Sequence, residues 1–110
     1  MITDFRSIWV VSSLLFTACA AGLPAPNAAQ LDAARSKEPS VAMADLERGR
    51  SLYVGKCAGC HALKEPADLA PDAWPGAVEE MRTKQGVRLS DAEARDITRY
   101  LESASAVTRR

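Results

Sequence analysis

Five consecutive residues, Cys57-Ala58-Gly59-Cys60-His61, constrain this chain more than anything else in it. C-x-x-C-H is the spacing of covalent c-type haem attachment. Two thiols three residues apart on a tight turn can each add to one vinyl group at a haem edge. The imidazole that follows is then held under the iron as its proximal ligand. The motif predicts Cys57 and Cys60 as thioether anchors, and His61 as axial ligand, of a single covalently attached haem c. Two other chemistries use the same residue types. A redox dithiol belongs in βαβ surroundings, and no such unit is visible in the sequence. A structural zinc wants a fourth ligand, and the sequence has no second His and no Cys beyond Cys60.

A chain of 110 residues allows one small domain. Residues 1–19 read as an export signal: Arg6 precedes a mainly apolar stretch from Ile8 to Ala18, followed by small residues. That stretch is short for a bilayer span. Phe16-Thr17-Ala18-Cys19 is similar to a bacterial lipobox, with Phe16 where Leu is usual, and would make Cys19 a lipidated first residue. Cleavage after Ala20, with Ala18-Cys19-Ala20 as an A-x-A site, is the other reading and discards Cys19. On either reading the mature chain keeps no stray thiol. Export and C-x-x-C-H point to one compartment, because haem c is attached outside the cytoplasm in bacteria. The expected location is periplasmic or otherwise extracytoplasmic, with a membrane tether if Cys19 is lipidated. Removing Asp4 and Arg6 with the signal leaves 13 basic and 13 acidic residues, a balance that offers nothing to a nucleic acid.

Residues 20–43 are rich in Ala, Pro and small polar residues, and the expectation is a flexible linker. Residues 44–104 form the expected domain, and 105–110 a disordered tail. So short a unit is poor in core: past residue 43 its aromatics are Tyr53, Trp74 and Tyr100. A covalent haem would supply the missing apolar centre. Three helices are predicted. The first covers 44–54, with Leu46, Gly49 and Tyr53 three to four residues apart and Gly49 kept for close packing. The second covers 73–85, with Asp72 as N-cap, Pro75 in the first turn, and Gly86 supplying a left-handed residue at the end. Trp74, Ala77, Val78 and Met81 share one of its faces. The third covers 91–103, opened by the capping box Ser90-x-x-Glu93, with Ala94, Ile97, Leu101 and Ala104 along an apolar stripe. Nothing alternates with period two, so the fold class is all-α, a small helical domain around one haem.

An iron held by one His has a sixth position. His61 is the sole His, so a second imidazole is excluded within the chain. Of the methionines beyond the signal, Met43 precedes the motif beside the linker, whereas Met81 follows it on an apolar helix face. Met81 is the expected distal ligand, and its thioether favours ferrous iron. Without Met81 the iron is open, or takes Lys64 or Lys84. Pro66, or less directly Pro71, can lend a carbonyl to the other ring N–H of His61. Trp74 can pack on a haem edge, donate its N–H to a propionate, or serve as an ordinary core aromatic.

Together these residues resemble the class I cytochromes c. The run Gly49-Arg50-Ser51-Leu52-Tyr53-Val54-Gly55-Lys56 into the C-x-x-C-H is similar to that family's N-terminal helix, and Ile97-Thr98-Arg99-Tyr100-Leu101 to its C-terminal helix. The resemblance implies that these two helices cross closely at Gly49, Tyr53 and Tyr100. Typical members carry the Met ligand in a loop beside a Pro, whereas Met81 is mid-helix. The segment from Pro66 through Trp74-Pro75 to Met81 is similar to a shortened variant found in small mono- and dihaem cytochromes. The function implied is not enzymatic: single electrons carried between periplasmic or membrane redox proteins, with His61–Met81 ligation. The alternatives are a haem sensor with five-coordinate iron and a small haem subunit of a larger oxidoreductase complex.

Overall fold

The computed structural model describes residues 23–57 and 63–109. Among them the chain forms α1 (Ala28–Lys37), α2 (Met43–Cys57), α3 (Trp74–Thr83) and α4 (Asp91–Thr108), with 3-10 turns at Pro66–Asp68 and Pro71–Ala73 and no strand. The all-α expectation holds. Helix α4 is the centre of the molecule, and α1, α2 and α3 all pack on it.

Local chemistry explains α2 to α4. Ser90 Oγ accepts from the Glu93 N–H at 3.1 Å, and Glu93 Oε1 accepts from the Ser90 N–H at 3.0 Å, so the capping box that starts α4 is complete. Gly86, beyond the end of α3, has φ +67°, the left-handed conformation that glycine adopts without a Cβ clash. The start of α3 differs from expectation. Asp72 lies inside the preceding 3-10 turn, and Ala73 occupies the cap position with no side-chain bond. The two prolines at Pro71 and Pro75 set the entry instead, because their fixed φ suits a first turn.

The closest approach is between α2 and α4. A Cβ on Gly49 would stand 2.0 Å from the Asp96 carbonyl oxygen and 3.0 Å from Tyr100 Cβ, so only glycine fits. Tyr53, Ile97, Tyr100 and Leu101 are buried around this crossing, with Trp74 and Val78 joining from α3.

Two boundaries are corrected. The linker expected over 20–43 holds α1, capped by Asn27, whose side chain accepts from the Gln30 N–H at 2.9 Å. Ala, Gln, Leu and Arg are strong helix formers, and they dock through small surfaces rather than an apolar stripe. Ala34, Val41 and Leu46 make a second small core, Gln30 is buried, and Leu23 joins the main core. Polar bonds reinforce the docking: Tyr100 Oη donates to the Pro24 carbonyl (2.7 Å), Arg50 Nη2 to the Leu23 carbonyl (3.1 Å) and Arg35 Nε to the Val41 carbonyl (2.9 Å). The tail expected from residue 105 is also corrected. Helix α4 runs on to Thr108, Ser105 is buried with its hydroxyl on the Leu69 carbonyl, and Arg109 bonds the Ala67 carbonyl at 2.7 Å.

An ion-pair network closes the α1–α2 corner over α4. Arg99 Nε reaches both Glu38 oxygens (3.1 and 3.3 Å) and its Nη1 reaches Asp96 (3.3 Å), which also accepts from Arg48 (3.0 Å). The Arg99 bonds hold the Glu38 carboxyl below its ordinary value of 4.5. A depressed carboxylate contributes stability that is present above that value and lost as pH falls through its folded pKa. Melting temperature is therefore expected to drop as pH falls from 5 to 3, and Glu38→Gln is expected to lower it at pH 7 while flattening that acid slope. Thermal melts of both chains across this range check it; an unchanged slope in the variant refutes the role of Glu38.

Candidate functional site

The C-terminal end of α2 and one face of α3 enclose an apolar pocket of about 320 Å³. Tyr53 and Cys57 line it from α2, where i, i+4 spacing puts them on one face. Trp74, Ala77 and Met81 line it from α3 at i, i+3, i+7, and Leu63 and Lys64 come from the segment between the helices. Glu80 and Gln85, both exposed, stand at its mouth.

Cys57 is a free, buried thiol, and burial pushes its pKa up. Burial, with the adjacent Cys57, likewise raises the Tyr53 phenol, which stays a donor and bonds the Lys64 carbonyl at 2.7 Å. This bond holds the segment after the motif against α2. The Trp74 ring meets Tyr53 edge-on, with centroids 6.3 Å apart, a favoured aromatic geometry. Its indole N–H donates to the Pro66 carbonyl at 2.9 Å, in a buried bond.

Cys57 and Met81, 24 positions apart, line one pocket, and Met81 is part-buried against the core. Cys60 and His61 lie outside the described residues, as do Cys19 and the signal segment. Met43 opens α2 at the end opposite Cys57, about 21 Å away by helical rise, and is no part of the pocket. Lys84 turns to Glu80 (3.8 Å), whereas Lys64 does line the pocket. The Trp74 N–H, read in the sequence as a possible propionate donor, is bonded to the Pro66 carbonyl here. The pocket's outer wall at Leu63 and its rim at Gln85 were missed by sequence reasoning, since nothing in their spacing marks them.

No family model, curated protein or solved structure matches the chain. Its pocket therefore has to be read from its own chemistry. The apolar lining suits a planar hydrophobic cofactor with a polar edge, and the thioether of Met81 is a soft donor fit for haem iron. The free thiol of Cys57 lines the same space. The residues present thus fit a c-type haem.

The Trp74–Pro66 bond yields a separate expectation. Trp74→Phe keeps an aromatic ring but strands a buried carbonyl, which costs about 1–3 kcal/mol. Urea unfolding of the variant should show a lower midpoint with an unchanged slope; no shift would mean that the carbonyl finds another donor.

Proposed function

We propose that the chain is an exported monohaem c-type cytochrome that carries single electrons between redox partners. One observation carries this reading: Cys57, the first residue of C-x-x-C-H, and Met81 line the same apolar pocket. Cys57 and Cys60 would hold haem c covalently, and His61 and Met81 would hold its iron. When bound, the haem supplies reversible one-electron exchange at iron. The chain's own residues do the rest. Trp74, Tyr53, Leu63 and Ala77 keep the pocket apolar, which disfavours water beside the cofactor and the more highly charged oxidation state. Tyr53, through the Lys64 carbonyl, restrains the segment that follows the motif. With His61 and Met81 both holding the iron, the chain would leave no place on it for a reactant, and the proposed role is electron carriage without substrate turnover.

Among the described residues no helix is long and apolar enough to cross a membrane. Export, and a lipid anchor at Cys19, are part of the same proposal. The test is the visible spectrum of protein matured in a periplasm with haem-attachment machinery. A low-spin ferrous spectrum, a weak far-red ferric band and resistance of the ferrous form to carbon monoxide are expected. A high-spin spectrum with ready carbon monoxide binding would turn the reading to a five-coordinate sensor. Absence of covalent haem would overturn it.

A further inference from the structure

Residues 23–43 of the segment expected to be a flexible linker are folded onto the domain, and this changes what an anchor at Cys19 would do. Leu23 is already part of the main core. Its carbonyl is held by Arg50, and the next carbonyl, on Pro24, by Tyr100. Four residue steps separate Cys19 from Leu23, and whatever their conformation they span no more than about 14 Å.

We propose that the lipidated chain is held directly against the bilayer by this short leash, facing it with the edge formed by Leu23-Pro24, Glu65–Ala67 and Thr108. These residues line one shallow surface hollow where the chain enters the fold. The proposal rests on the lipoprotein and cytochrome readings above. Charge does not oppose the contact: Lys64 and Arg109 stand beside Glu65 and Asp68 at this edge, so an anionic headgroup layer meets no net repulsion. Position links the edge to function. Lys64 lines the Cys57–Met81 pocket and the next residue, Glu65, lines the hollow. The electron-exchange pocket is thus carried close to the membrane plane, within reach of a redox partner in the same bilayer. A free-swinging tether would leave the pocket without any preferred height.

The far end of α4 provides the contrast. Ala92 and Thr108 are both exposed and lie about 24 Å apart along the helix. Full-length protein bearing Thr108→Cys or Ala92→Cys, each carrying a benzophenone maleimide, is placed in phosphatidylcholine–phosphatidylglycerol vesicles and irradiated. Lipid adducts are mapped to the labelled residue by peptide mass, and the visible spectrum checks each variant's fold. Position 108 is expected to give about five-fold more adduct than position 92, and a flexible insert of about twenty residues after Gly22 should erase the difference. Equal yields without the insert, or an excess at 92, overturn the short leash. A mature chain without diacylglycerol on Cys19 overturns it by removing the anchor, while an intact haem spectrum in that chain leaves the cytochrome reading standing.

Discussion

Met81→Leu is expected to abolish the far-red ferric band, open the ferrous iron to carbon monoxide and lower the reduction potential. Leucine nearly conserves volume, so the pocket beside Trp74 and Ala77 stays filled and the change isolates the sulfur. The fall in potential should be on the order of 0.1–0.2 V, a fraction of the roughly 0.8 V range that axial ligation covers. Met81→His should restore a low-spin spectrum at low potential, because an imidazole is a stronger donor to ferric iron than a thioether. Met81→Ala adds a cavity to the lost ligand and would confuse the two effects. Spectra and redox titrations of the Leu and His variants decide the matter. An unchanged far-red band in Met81→Leu would exclude Met81 as the ligand. Lys64 would then be the next candidate, as it lines the same pocket.

Gly49→Ala is expected to be the most destabilising single-methyl change at a glycine in α2. The added carbon would lie 2.0 Å from the Asp96 oxygen and 2.6 Å from its carbonyl carbon, and both are backbone atoms of a packed helix. Neither can rotate away, so α2 and α4 must separate along their main interface. Overpacking costs about 1–3 kcal/mol where side chains can yield, and here the obstacle is backbone, so about 3 kcal/mol or more is expected. For a domain of this size that lowers the melting temperature by roughly 12–24 °C. Gly55→Ala, six residues on in the same helix, meets nothing within 4 Å. It should be neutral or stabilise by about 0.5–1 kcal/mol, since Ala is the better helix former. Thermal melts of the two variants side by side test the crossing. A small loss in Gly49→Ala would mean that the helices part at little cost.

Part of the pocket could be read in advance because it is written locally. The α3 face of Trp74, Ala77 and Met81 follows from helical spacing, and Gly49 stood out as a costly residue inside an otherwise good helix. The missed parts lack local signatures. Asp72 resembled an N-cap, but Pro71 drew it into a 3-10 turn. No spacing in the sequence names an acceptor within the chain for the Trp74 N–H, and its bond to the Pro66 carbonyl depends on how the two turns before α3 fold back.

The amino-acid sequence by itself determined the helical class, the positions of α2, α3 and α4, the capping box of α4, the left-handed turn at Gly86 and the candidate ligands. Each depends on side-chain spacing or on contacts within one turn. Only the tertiary structure decided that residues 28–37 are a docked helix, that α4 continues past Ser105, and that Cys57 and Met81 share a pocket. An Ala-rich segment carries no stripe that reveals whether it packs. Its fate is set by a complementary surface far along the chain, here α4, where Tyr100, Arg99 and Glu102 meet Pro24, Glu38 and Lys37.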